Sequence, residues 1–290
     1  MKNTKIILAG ILGLTMAFGT TSCKKKGCTD SKASNYDANA KKDDSSCLYD
    51  TTGTDGDGHD GSHVMIKMNH SYAGASVMPG DFNNIKYTND KGTNHSITKI
   101  KYLVSDFVMY KADGDSIVVE GYNLVDFTNT NSFAYSFPED VHIPMGDYTG
   151  IGFTWGFDGA DNLTGEYPDL NVANWAWPAM IGGGYHYMQF EGRFIDVNSD
   201  TTSFAYHHGT AKNPTSGSFE NNSFPVKLDQ SFTLSNDASI TVDMDMAEWF
   251  KTPNQWDLDA LHSMLMPNYQ AQILMNQNGK SVFSFGSIAQ

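Results

Sequence analysis

The chain has 290 residues, of which 40% are hydrophobic and 12% aromatic, so it can bury a sizeable core and is not disordered throughout. Its formal net charge of -14 argues against nucleic acid or an anionic membrane surface as a partner and favours cations. Only 18% of the residues are charged and 27 are glycine, a composition that favours strands and turns over a helical bundle.

Residues 1–22 are predicted to be a lipoprotein signal peptide. Two lysines precede an apolar run from Ile6 to Phe18, which is too short to span a bilayer comfortably. The small residues before Cys23 resemble a bacterial lipobox, although Thr20 stands where leucine is usual. Acylated Cys23 would anchor the protein in the lipid bilayer. We expect the outer membrane and its periplasmic face, because Lys24 to Lys26 differ from the acidic run of surface-export tags; the cell surface and an ordinary secretory signal are the alternatives.

Residues 23–49 are predicted to combine the lipidated cysteine with a small disulfide module. Cys28 and Cys47 remain as an even pair in an exported protein, so we expect them to form a disulfide. The segment from Gly27 to Tyr49 resembles a short cysteine module of Bacteroidetes-type exported proteins, and we interpret it as a spacer. Asp43 and Asp44 offer oxygen ligands for calcium, with solvated acidic turns as the alternative.

Residues 50–62 are rich in Gly, Asp and Thr without an apolar period and are predicted to be a flexible linker. The main domain is therefore expected to span residues 63–290. Histidines in or near the linker, among them His70, are predicted to be solvated, and His95 is predicted to lie in a turn.

The pattern of the main domain is one of strands. Ile100, Tyr102 and Val104 alternate, and a turn at Asp113 and Gly114 leads into a second strand, which predicts a hairpin. Further strands are expected over 150–157, 185–195, 203–208, 223–234 and 238–246. The fold class predicted is all-β, an antiparallel β-sandwich with long loops and one or two short helices. One helix is expected over 254–265, where leucines recur at i, i+3 and i+7 before Pro267.

Candidate metal ligands concentrate between residues 175 and 208. Alternation places His186 on the apolar face of its strand, and it places His208 rather than His207 with the apolar residues of the next strand. Two strands could thus present imidazoles to one cleft walled by Trp175 and Trp177, a set that suits copper. The alternative is that these histidines are core or turn residues bonded to backbone and that the tryptophans only pack.

Several motifs resemble the methanobactin-associated periplasmic protein family, called MbnP-like. They are IPMGDYTGIGFTWGFDGAD, WAWP followed by GGGYHYMQFEG, and FAYHHG, within a resemblance that runs from about Met65 to Phe285. The resemblance implies a β-rich protein that binds one copper ion through histidines. In some members a tryptophan oxidised to kynurenine is also a ligand. It further implies a diheme cytochrome c peroxidase-like partner that performs the oxidation.

The resemblance also assigns residues to the site. Trp175 and Trp177 match its W-x-W, and His207 matches the histidine of its H-x-G, so His207 and His208 both stay open. Trp177 stands where copper-binding members have a second histidine, and His186 compensates. The predicted copper ligands are thus His186 with His207 or His208, and the site is lined by Trp175, Trp177, Met180 and Tyr185.

The sequence also bears on two other classes of function, an enzyme and a glycan-binding or adhesion protein. The chain has no H-E-x-x-H or G-x-S-x-G motif, and its cysteines are assigned to anchor and disulfide, so we expect no enzymatic activity. The alternative to a copper protein is a glycan-binding or adhesion lipoprotein with an exposed aromatic platform and no metal. Burial of the tryptophans beside histidine would favour copper.

Overall fold

The computed structural model describes residues 25–29, 35–42, 46 and 61–290. The chain divides into two compact units, residues 1–58 and 59–290. Cys23, Cys47 and the aspartates proposed for calcium lie outside the described residues, so the lipid anchor, the disulfide and the calcium site stay predictions. Among the described residues, no helix is long and apolar enough to cross a membrane.

The first unit shows local contacts around Cys28. The Cys28 side chain is buried, and its carbonyl accepts a hydrogen bond from the backbone N–H of Asp37 at 3.0 Å. Lys25 forms an ion pair with Asp37 at 2.6 Å.

The second unit consists mainly of strands, as the alternating pattern predicted. In chain order they are β1 (Val64–Tyr72), β2 (Ala75–Ser76), β3 (Tyr87–Thr88), β4 (Asn94–His95), β5 (Lys99–Lys111), β6 (Ser116–Asp126), β7 (Ala134–Ser136), β8 (Gly146–Trp155), β9 (Met188–Ile195), β10 (Thr201–His208), β11 (Ala211–Lys212), β12 (Phe219–Glu220), β13 (Phe224–Leu234), β14 (Ala238–Asp245) and β15 (Phe283–Ala289). The helices are α1 (Pro168–Val172) and α2 (Tyr269–Gly279), and 3-10 turns form at Pro79–Asp81, Thr130–Phe133, Ala179–Ile181 and Met246–Phe250.

The strands form two large sheets. One has the order β15-β14-β1-β2, with β7 also paired to β1. The other has the order β13-β8-β5-β9-β4-β3, with β10 paired to β9 and β6 paired to β5. Strands β1 and β14 run parallel, while the other pairs among these sheets are antiparallel. Apolar side chains from both sheets share one core, which confirms the predicted all-β sandwich-like fold.

The predicted hairpin is formed by β5 and β6. Ile100, Tyr102 and Val104 are almost fully buried, because every second residue of β5 faces the core. Gly114 takes a φ of 98° in the connecting turn, a conformation that glycine adopts without a steric cost. Local alternation and turn chemistry were sufficient to predict this element.

The predicted helix over 254–265 is wrong, since these residues form turns. One helical bond is made, from the Leu261 N–H to the Asp257 carbonyl, but the Leu261 carbonyl then accepts from the Trp256 indole instead of continuing a helix. Met264 has a φ of 55°, which ends any right-handed helix. The leucine spacing reflects burial of Leu258 and Leu265 in the core.

Two histidines expected in solvent or in a turn are core residues. His70 lies within β1 and is 2% exposed, with its Nε2 atom 2.8 Å from the hydroxyl of Tyr102. His95 lies in β4 and is fully buried. Strand β1 extends from Val64 to Tyr72, so His70 lies within a strand although it is close to the polar linker in sequence.

Candidate metal centre

His186 is held by a narrow loop that folds back on the Trp175 segment. The backbone N–H of His186 donates to the Trp175 carbonyl at 2.9 Å, and the N–H of Trp177 donates to the Gly184 carbonyl at the same distance. The loop can turn because Gly184 has a φ of 79° and packs against Asn162, where a Cβ atom would lie 2.3 Å from the amide oxygen. His186 therefore precedes β9 instead of belonging to it.

The His186 ring is buried and oriented by one backbone acceptor. Its Nδ1 atom lies 3.0 Å from the Trp175 carbonyl oxygen, so Nδ1 carries the proton and donates it. Burial lowers the pKa of His186 to about 4, which keeps the imidazole neutral at physiological pH. The Nε2 lone pair is then the one available for a ligand.

His207 is oriented in the same way, by a carboxylate. It lies on the outer face of β10, and its Nε2 atom is 2.9 Å from Oε1 of Glu191 on the neighbouring strand β9. The hydrogen bond from His207, together with that from Lys99 at 3.1 Å, lowers the pKa of Glu191 to about 2. An ionised carboxylate accepts only, so His207 donates from Nε2 and leaves Nδ1 for a ligand.

The rings of His186 and His207 are in edge-to-face contact. The centroids of His186 and His207 are 5.3 Å apart, with an angle of 78° between the ring planes. Two imidazoles that share one ion at metal–nitrogen distances of about 2.0 Å have their centres roughly 5 to 6 Å apart. The spacing is that of an edge-to-face ring pair, and it is also compatible with two ligands to one metal.

His208, the other histidine predicted as a possible ligand, belongs to the core. It is fully buried, and its Nδ1 atom accepts a hydrogen bond from the indole N–H of Trp155 at 3.0 Å. Its Nε2 atom lies 2.9 Å from the side-chain amide of Asn222. Both ring nitrogens are engaged, so of the two alternatives the structure brings only His207 to His186.

The predicted aromatic lining is present in part. The ring centroid of Trp177 is 4.9 Å from that of His186, and the centroid of Trp175 is 5.4 Å from it. The Trp177 indole donates to the Ile181 carbonyl at 3.2 Å, whereas the buried Trp175 indole N–H has no partner among the described residues. Tyr185 packs behind Trp175 in a smaller cluster and donates from its hydroxyl to Asn171, so it supports the wall from outside the site. Met180, which was also predicted to line the site, lies in the 3-10 turn Ala179–Ile181 and is 78% exposed.

Several residues that hold the pair could not be assigned a role from the sequence. Gln272 of α2 donates to the His207 carbonyl at 2.7 Å and accepts from the Gly209 N–H at 3.1 Å, which fixes the end of β10. Glu191 on the neighbouring strand β9 orients His207, and Lys99 on β5 donates to the same Glu191 oxygen. Only the strand register places Glu191 diagonal to His207, and no local signal in the sequence connects Gln272 with either histidine.

The two histidines share one feature with the ligands of known metal sites. Each imidazole has one nitrogen held by an oxygen acceptor and the other unclaimed, which is how ligating histidines are oriented in metal sites. Within residues 25–29, 35–42, 46 and 61–290, no group of three or more His, Cys, Asp or Glu could hold a metal ion.

The same geometry argues against the glycan platform. Trp155, Trp175 and Trp177 are at most 1% exposed, and Tyr185 and Tyr187 are fully buried. Side chains in the core cannot stack on a sugar, so these tryptophans and tyrosines do not form the exposed platform of the glycan-binding alternative.

Comparisons with known proteins agree on one family. The family model described as MbnP matches residues 61–269. The chain is also similar to the solved structure of MbnP from Methylosinus trichosporium, with a TM-score of 0.50 and 16% identity, over 79% of this chain and 98% of that chain. At this identity the structural likeness concerns the fold alone. No curated protein sequence matches the chain.

Proposed function

The chain belongs to the MbnP family, and on that premise we propose that it binds one copper ion between His186 and His207. The observation that carries the proposal is the contact between two histidine rings that each have one nitrogen held by an oxygen acceptor. The Trp175 carbonyl fixes His186, the Glu191 carboxylate fixes His207, and the ring centres are 5.3 Å apart.

Copper suits this donor set better than other common ions. Neutral imidazoles are ligands for copper, and a dry aromatic wall favours the cuprous ion because it disfavours charge. Zinc sites usually add a third histidine or a cysteine, and no such group adjoins the pair among the described residues. The acidic surface would raise the local concentration of any cation, so selectivity would come from the ligands.

We also propose that a diheme cytochrome c peroxidase-like partner oxidises one of the two tryptophans, Trp175 or Trp177, beside His186. Trp175 is favoured, because its indole N–H has no hydrogen bond to lose among the described residues, whereas Trp177 is bonded to Ile181. The partner would supply the oxidising equivalents, and this chain would bind and position the copper without catalysing a reaction. Acylated Cys23 would hold it at the outer membrane, facing the periplasm.

The proposal is tested by loading the protein, purified without a histidine tag, with copper under a competing chelator. We expect one copper per chain. X-ray absorption of the loaded protein should show two imidazole nitrogens at about 2.0 Å. A spectrum without imidazole, or no binding above chelator, would contradict a copper site between His186 and His207.

A further inference from the structure

Three buried polar atoms lie together away from the candidate metal centre. The hydroxyls of Tyr72 and Tyr87 and the Nε2 atom of His95 have no hydrogen-bond partner among the described residues. The two tyrosines are each 5% exposed and His95 is fully buried. The ring centroids are 4.7 Å apart for Tyr72 and Tyr87, 5.2 Å for Tyr72 and His95, and 5.9 Å for Tyr87 and His95.

The cluster joins the two sheets. Tyr72 is the last residue of β1 in one sheet, while Tyr87 and His95 are directly paired on β3 and β4 in the other. Phe204 and Phe250 pack against the His95 ring, with centroids at 5.9 Å and 5.3 Å. Aromatic rings therefore cover His95, and the three polar atoms are all buried, with Lys86 Nζ 5.4 Å from the Tyr87 ring centroid.

The hydrogen-bonding roles of the three groups are complementary. The Nδ1 atom of His95 lies 3.4 Å from the Thr93 carbonyl, an arrangement in which Nδ1 carries the proton and Nε2 is an acceptor. Each phenol can both donate and accept. Buried polar groups in native proteins are nearly always paired, with protein or with an ordered water, because leaving one unpaired is costly.

We infer that Tyr72, Tyr87 and His95 form a binding site for a buried water molecule that bridges the two sheets. Water has the two donors and two acceptors that three such groups require, and buried waters typically make about three hydrogen bonds. A metal ion is a poorer occupant, because burial raises the pKa of both tyrosines and so opposes the phenolate form that metals bind.

The bridging water would stabilise this edge of the second sheet, where the strands are short. Strands β3 and β4 have two residues each, and His95 is the residue of β4 that pairs with β9, opposite Phe194. A shared water would attach this edge to the end of β1. The inference does not depend on copper binding.

The proposed water site is tested by whether removal of a tyrosine hydroxyl destabilises or stabilises the protein. Tyr72→Phe and Tyr87→Phe each delete one hydroxyl and change little else. If the hydroxyl is bonded to water, each variant should raise the unfolding equilibrium constant about fivefold, as expected for one lost hydrogen bond. If the hydroxyl is unpaired, its removal should lower that constant, which would overturn the inference.

Tyr206→Phe is the matched control, because Tyr206 is also a core residue and its hydroxyl donates to the Trp249 carbonyl at 3.1 Å. It should raise the unfolding constant by a similar factor. A crystal structure should then show a water within hydrogen-bond distance of at least two of the three atoms. A metal ion there, or a direct bond between two of the side chains in place of water, would also overturn the inference.

Discussion

His207 and His208 are adjacent in the chain, but they face opposite sides of strand β10. His207 donates to Glu191 at 2.9 Å on the outer face, while His208 accepts from the Trp155 indole at 3.0 Å inside the core. The alternation of a strand separates their roles, so that His207 belongs to the candidate metal centre and His208 to the core. Substitutions at the two positions should therefore have different effects.

His208→Ala should mainly reduce stability. It leaves a cavity and removes the acceptor of the buried Trp155 N–H, which together should lower the free energy of unfolding by about 3 kcal/mol. Chemical denaturation measures the loss, and the folded fraction should still bind one copper per chain. Unchanged stability with lost copper binding would show that the roles of the two histidines are reversed.

Glu191→Gln should weaken copper binding while the fold is kept. The amide no longer supplies the charged acceptor that orients the His207 ring, and loss of such a partner typically costs 10- to 100-fold in metal affinity. Competition titration against a copper chelator measures the change. Glu139→Gln, at an exposed position, is the control and should bind like the unmodified protein. Equal affinity in both variants would remove Glu191 from the site.

Stability should fall as the pH is lowered below about 6.5. Burial lowers the pKa of His70 and His208 to about 3 and that of His95 and His186 to about 4. Because these values lie below the unfolded-state value of about 6.5, the unfolded chain binds more protons, and each histidine contributes up to about 1.4 kcal/mol per pH unit to the loss.

Urea denaturation of the copper-free protein at pH 7.5, 6.5 and 5.5 measures this dependence. The histidine contribution is fully present above pH 6.5 and decreases as the pH falls toward 4. A free energy of unfolding that stays constant or rises between pH 6.5 and 5.5 would contradict the buried neutral state of these rings.

Cys23→Ala should release the protein from membranes. If the predicted signal peptide is removed, acyl chains on Cys23 would be the remaining attachment. Fractionation of cells that express the variant measures the distribution between membrane and soluble fractions. Retention of the variant in membranes would show that the anchor lies elsewhere.

The elements that the sequence predicted correctly depend on local pattern. Ile100, Tyr102 and Val104 alternate over one strand, and Gly114 marks the turn that follows. The prediction for His186 was less accurate because β9 begins at Met188, so the alternation of β9 does not extend to the histidine. The role of Gln272 depends on a contact across 65 residues, which no local pattern encodes.

The false helix over 254–265 and the unexpected helix α2 have a common cause. The leucines at 258 and 265 are spaced for a helix but are buried from a loop, whereas α2 is anchored by buried amides instead of an apolar stripe. Asn278 donates to the Trp249 carbonyl at 2.8 Å, and Asn268 caps the helix by accepting from the Ala271 N–H. Tertiary contacts therefore override periodicity in this part of the chain.

The central claim is that copper binds between His186 and His207. Its most direct test is a titration of His186→Ala, His207→Ala and the double variant with Cu(I) and Cu(II) under a competing chelator. His262→Ala is the control, because that ring bonds to the Leu258 carbonyl and packs against Phe194. We predict that each single variant loses at least about tenfold in affinity, as removal of a ligand should cost no less than loss of its orienting partner. The double variant should lose specific binding and the control should be unchanged; full affinity in the double variant would contradict the claim.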